Sequence, residues 1–143
     1  MRKLVPFALV VVSALVLTAV SLGAPRGMGW SATLTAAQEI PKQVVKTPAA
    51  KGAFHATLSG KTLTWKLTFS HLSGPALQAH IHLGAMGKSG NVLVPLCAPC
   101  KNGMTGKSKV TAALIKDLGK HLLYVNVHTA KNPSGEIRGQ LSG

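Results

Sequence analysis

Apolar and polar residues alternate in short runs along most of this chain. Thr62 to Ser70 is the cleanest case: Leu63, Trp65, Leu67 and Phe69 take one face, and Thr64, Lys66 and Thr68 the other. Ala53 to Leu58 does the same with Phe54, Ala56 and Leu58 opposite His55 and Thr57. Period two with β-branched and aromatic residues marks a half-buried strand, and Ser59-Gly60-Lys61 joins the two as a hairpin. Ala32 to Ile40 alternates more loosely and stops at Pro41, before a polar loop from Lys42 to Lys51. Leu77 to Leu83 sets Leu77, Ala79, Ile81 and Leu83 against Gln78, His80 and His82. A glycine-rich loop, Gly84 to Asn91, leads to a short apolar strand, Val92 to Leu96, and a second loop runs from Cys97 to Gly106. Val110 to Leu118 fits either a strand or one to two turns of helix, closed by Gly119. Leu122 to Thr129 is a strand with Leu123, Val125 and Val127 opposite Tyr124, Asn126 and His128; the turn Asn132-Pro133-Ser134-Gly135 precedes a last strand, Glu136 to Leu141. Seven or eight short strands joined by turn-rich links predict an all-β fold, an antiparallel β-sandwich or a Greek-key barrel.

The first residues break this pattern. Met1-Arg2-Lys3 is a short positive segment, Leu4 to Leu22 is almost wholly apolar, and Ser21-Leu22-Gly23 offers small residues for cleavage. That is the build of an export signal, residues 1–23, followed by a linker, 24–31, and one β domain, 32–143. The alternative is an uncleaved anchor, since an apolar run of this length just spans a bilayer. Either way the domain is exported: periplasmic, cell-surface or extracellular.

Charge narrows the chemistry. The chain's 143 residues hold 16 Lys and Arg but only three acids, Glu39, Asp117 and Glu136, for a formal charge of +13. Hydrolysis by paired carboxylates and an EF-hand-type calcium loop both need more acids than one site could gather here. Lysine outnumbers arginine and aromatics are scarce, which argues against a specific nucleic-acid reader. A lysine-rich exported surface suits anionic envelope polymers or lipid head groups as partners. Gly87-Lys88-Ser89 and Gly106-Lys107-Ser108 resemble the end of a phosphate-binding loop, but His82 and Lys101 stand where the motif needs its first glycine. Cys97-Ala98-Pro99-Cys100 is followed by a turn sequence rather than a helix; in an exported protein this reads first as a local disulfide, with redox and metal-binding roles as alternatives. Glu136 and Arg138 share a face of the last strand and are expected to be structural, as an ion pair or with Arg138 holding strand-end carbonyls.

His80 and His82, two apart on a strand, put both imidazoles on one side with Cα atoms about 6.5 Å apart. His128 lies on the polar face of a later strand. If the strands are close, three imidazoles converge on a set suited to copper or zinc with a position left for water. Tyr124 and Asn126 stand on the same face and are candidates to orient the ligands.

Several stretches then resemble a known family. Ala36-Ala37-Gln38-Glu39-Ile40-Pro41, Ala79-His80-Ile81-His82-Leu83-Gly84, Leu123-Tyr124-Val125-Asn126-Val127-His128-Thr129 and Asn132-Pro133-Ser134-Gly135-Glu136-Ile137-Arg138-Gly139-Gln140-Leu141 look like the CHRD domain, the module repeated in chordin and found singly in exported microbial proteins. The resemblance implies an all-β domain without a settled activity. The leading expectation is a domain that binds rather than catalyses, holding copper or zinc at the three histidines; the alternative is an envelope adhesion or interaction module without metal, its histidines structural. A weaker resemblance is to copper/zinc superoxide dismutase, in which a His-x-His strand and a later His hold copper; His80, His82 and His128 match those three. No counterpart stands for the His that bridges the two metals or for the zinc-site Asp, so this resemblance implies a mononuclear site more than dismutase activity.

Overall fold

The computed structural model describes residues 27–143; the expected leader, residues 1–23, lies outside the described residues. Eight strands follow in order: β1 (Met28–Thr35), β2 (Lys51–Ser59), β3 (Thr62–Ser70), β4 (Ala76–Leu83), β5 (Val92–Cys97), β6 (Met104–Lys109), β7 (Leu123–Thr129) and β8 (Ile137–Gln140), with one helix, α1 (Ala112–Leu118), between β6 and β7. They form a single antiparallel sheet in the order β5-β4-β7-β8-β1-β2-β3-β6, curled into a nearly closed barrel. Of the two architectures expected, the barrel is the one formed.

Alternation decides which side chains enter. Leu34, Phe54, Leu67, Ile81, Leu123, Val125 and Ile137 are fully buried inside the barrel, while Ser31, His55, Thr64 and Lys66 face out. Gly60, with φ 57°, sits in the β2–β3 turn, in the left-handed region that glycine enters at no steric cost.

Three elements differ from the expectation. β1 begins at Met28, inside the stretch read as a linker, because Trp30 fills the core; Gly27 and Gly29 flank it and mask the alternation. Ala36–Gln38 is a 3-10 turn rather than the end of a strand. Met104–Lys109, read mostly as loop, is β6, and its Gly106 lies under the Trp65 ring, where a Cβ would stand 2.3 Å from the indole. The ambiguous segment resolves as helix: the Thr111 hydroxyl accepts from the Leu114 amide at its N-terminus, and Leu114 and Leu118 join the core. Among the described residues no helix is long and apolar enough to cross a membrane.

Every side chain of β7 is buried on both faces. One face packs into the barrel. The other is covered by the loop between β4 and β5 and by the turn between β7 and β8, and this covered outer face holds the polar residues singled out above.

Candidate metal centre

β4 and β7 are direct neighbours, and their register sets the site. Gln78 stands opposite His128, His80 opposite Asn126, and His82 opposite Tyr124. His80 and His128 are therefore diagonal neighbours, a separation long side chains bridge readily. On the other side of β4 the pairing with β5 slips between Ala79 and His80 and again between Ile81 and His82. Such irregularities re-aim individual side chains.

His80, His82 and His128 come together on the outer face, with one ring nitrogen from each within 4.8 Å of the other two. Ring centroids lie 5.0 Å apart for His80 and His128, 5.5 Å for His80 and His82, and 6.2 Å for His82 and His128. Among the described residues this is the one group of three or more His, Cys, Asp or Glu side chains able to share an ion. His71 and His121 stay apart from it, exposed in turns at φ 59° and 55°.

Backbone carbonyls fix two of the three rings. His82 Nδ1 bonds the Gly90 carbonyl at 3.0 Å, and His128 Nδ1 bonds the Pro133 carbonyl at 2.9 Å. A carbonyl only accepts, so each Nδ1 carries the proton and each Nε2 presents its lone pair. His82 Nε2 is buried and has no hydrogen-bond partner. His128 Nε2 meets His80 Nδ1 at 3.1 Å. Two nitrogens bound to one ion at about 2.05 Å sit about 2.9 Å apart at a right angle and about 3.3 Å apart at the tetrahedral angle, so the observed pair already has the spacing of two ligands.

The environment keeps the rings neutral. Burial, reinforced by His128 and His82, lowers His80 to about 4. Burial also lowers His82, with Arg138 adding to the effect while the Gly90 carbonyl and the neighbouring Asn126 side chain oppose it. His128 is lowered by burial against the opposing Pro133 carbonyl. Neutral imidazole is the form that binds metal.

Tyr124 stacks on His82 with ring centres 4.8 Å apart and planes 7° from parallel, and its hydroxyl lies 3.3 Å from the Gly90 amide. Arg138 lies over the Tyr124 ring, its guanidinium carbon 3.5 Å from the centroid, and donates to the Ala85 and Lys88 carbonyls at 3.3 and 2.7 Å. Asn126 is buried between the histidines, and its Oδ1 makes no hydrogen bond.

Glu136 and Arg138 are both buried, but their bonding partners are not each other. Glu136 accepts from the Ser73 amide and hydroxyl, the Thr129 hydroxyl and the Asn132 amide. Arg138 ties down the β4–β5 loop instead of the acid, because the two side chains diverge toward different loops. Burial alone would raise Glu136; the bonds from Ser73, Thr129 and Asn132 outweigh it and lower its pKa. Cys97 and Cys100 form a disulfide, Cα atoms 5.1 Å apart, at the end of β5.

The sequence pattern missed Glu39. It is fully buried, both its oxygens lack hydrogen-bond partners, and burial raises it to about 8 although Arg138 pulls the other way. Gly135 packs against it so closely that a Cβ there would lie 2.5 Å from the carboxylate. Its place inside the Ala36–Pro41 stretch was the one signal the sequence carried.

The family model for the CHRD domain matches residues 30–141, nearly the whole barrel. The chain belongs to the CHRD domain family. No curated protein and no solved structure matches it. All three histidines and both positioning loops of this CHRD domain fall inside the matched region, as do Glu39, Glu136 and Arg138.

Proposed function

We propose that this CHRD domain is an exported binding module that holds a copper ion, with zinc as the competing metal, through His80, His82 and His128. The observation that carries the reading is the aim of the lone pairs: two rings are locked by backbone carbonyls with Nε2 turned into the cluster, and one of those nitrogens is buried without a partner. A buried acceptor left unmade costs about 1–3 kcal/mol, which an ion would recover. Imidazole sets favour copper over zinc in raw affinity, and three such ligands leave a coordination position for water. Tyr124 and Asn126 orient the ligands; Tyr124 does so by stacking on His82 and bonding Gly90. Export through residues 1–23 fits the Cys97–Cys100 disulfide, which persists outside the reducing cytosol.

The test is titration of metal-free protein with Cu(II) and Zn(II), followed by calorimetry and electron paramagnetic resonance. The expected result is one Cu(II) per chain with nitrogen hyperfine structure. His80→Ala/His82→Ala/His128→Ala should keep the β-sheet circular dichroism and lose the ion. Equal binding by the wild type and the triple variant overturns the proposal, and tighter binding of zinc at equal loading reassigns the metal.

A further inference from the structure

The opposite side of the barrel carries a different kind of surface. On β1, β2, β3 and β6 every second residue faces outward, and apart from Gly29 and Ala53 these positions are basic or hydroxylic. Lys51, Lys66, Lys107 and Lys109 supply the charge, and Thr57 and Thr64 stand among them, all exposed. In the β3–β6 register Lys66 faces Thr105 and Thr64 faces Lys107, which makes Lys66 and Lys107 diagonal neighbours about 7–8 Å apart. Lys107 and Lys109 follow at about 7 Å along β6. The cations thus form a row that starts on β3 and runs along the edge strand β6.

None of them forms an ion pair among the described residues, although Asp117 lines a small cavity together with Lys109. Glu39 and Glu136 are fully buried, and Asp117, half-buried, belongs to α1. All twelve lysines among the described residues are exposed. Beside the row runs an open groove of about 610 Å³ lined by Ser31, His55, Thr57 and Lys66 and, along its floor, by Trp30 and Trp65.

The chemistry of this face selects among polyanions. A membrane surface wants apolar or aromatic side chains to insert. Of the exposed large apolar residues only Met28 belongs to these strands, at the very start of β1 beside Leu118 and His121; others, such as Leu77, Leu83, Met86 and Val92, lie around β4 and β5. Single-stranded nucleic acid wants exposed rings for stacking, and the two tryptophans that line the groove are buried, 8% and 4% exposed. What remains is a flat lattice of flexible ammonium groups and hydroxyls. Ammonium groups meet carboxylate or sulfate without demanding a fixed fork geometry, and hydroxyls bond sugar hydroxyls.

We propose that the outer face of β1, β2, β3 and β6 docks an acidic polysaccharide, laid along the row Lys66, Lys107 and Lys109. This surface is independent of the histidine cluster, which lies on β4 and β7.

Heparin serves as the probe, with calorimetry at several salt concentrations. Two triple variants of equal net charge are compared: Lys66→Ala/Lys107→Ala/Lys109→Ala on the face, and Lys46→Ala/Lys116→Ala/Lys120→Ala away from it. The face variant should bind about tenfold more weakly and show a shallower salt dependence, as expected when several exposed pairs of under about 1 kcal/mol each are lost. The control should stay within about twofold of the wild type on the same scale. Should the face triple fail to fold, Lys66→Gln/Lys107→Gln carries the same comparison. Equal losses in both variants overturn the proposal, because net charge alone would then explain the binding. Phosphatidylglycerol vesicles or an oligothymidine that bind as tightly as heparin, with the same dependence on the face, also overturn it by reassigning the partner.

Discussion

Replacing Arg138 with methionine keeps much of the side-chain volume and removes every donor and the charge. Arg138 is 2% exposed, bonds two carbonyls of the β4–β5 loop and packs its guanidinium on Tyr124. A hydrogen bond from a charged group contributes about 1.5–3 kcal/mol, and a desolvated cation–π contact about 2 kcal/mol. These do not add fully. The released carbonyls belong to exposed Ala85 and Lys88 and turn to water, and methionine avoids the cost of burying a charge. A net loss of about 3 kcal/mol follows, which lowers Tm by about 12 °C for a domain of this size. The loop that Arg138 ties down also carries the Gly90 carbonyl that orients His82. Copper affinity should therefore fall about tenfold, the lower end for losing an orienting contact. Thermal unfolding of metal-free protein, paired with a copper titration, checks both. A Tm within about 3 °C of the wild type, set against the shift expected from the size scaling, would refute the reasoning.

Glu39 is raised to about 8, so the folded state holds a proton there that the unfolded chain releases near 4.5. Stability from this group is full below that unfolded value and is lost as pH rises toward 8; Glu39→Gln should flatten the decline in Tm measured between pH 5 and pH 9. Glu136 has the opposite sign. Its lowered pKa stabilises the fold above the ordinary carboxylate range and is lost on acidification, so Glu136→Gln should cost about 1–3 kcal/mol at neutral pH in urea unfolding and converge with the wild type in acid.

β3 was fully legible because its inward side chains are large and its outward ones polar at every step. β6 was not, because Met-Thr-Gly-Lys-Ser-Lys carries almost no apolar signal of its own; the hydrophobic surface at that edge is the Trp65 ring, donated by β3 over Gly106. The segment that became α1 was ambiguous because seven residues give too little period to separate helix from strand, and the Thr111 cap decided it. For the histidine cluster, alternation placed His80, His82 and His128 on polar faces, and pairing of β4 with β7 was the one further condition. The carbonyls of Gly90 and Pro133 that set the tautomers are backbone atoms, common to every residue, and no side-chain pattern could announce them. Glu39 escaped for a related reason: an acid reads as exposed until the turn that covers it is known.

The barrel stops short of closing, and β5 and β6 are left as its two rims, each with one line of amides and carbonyls unclaimed by a neighbouring strand. Such rims invite pairing with another molecule and, from there, fibrous association. Pro95 deprives β5 of a donor, and its pairing with β4 is broken twice by register slips. β6 is short and holds Lys107 and Lys109, whose like charges repel a second copy of the same strand. Neutralising those lysines therefore has a colloidal consequence: concentrated solutions of the face variant should be the ones to cloud first on storage.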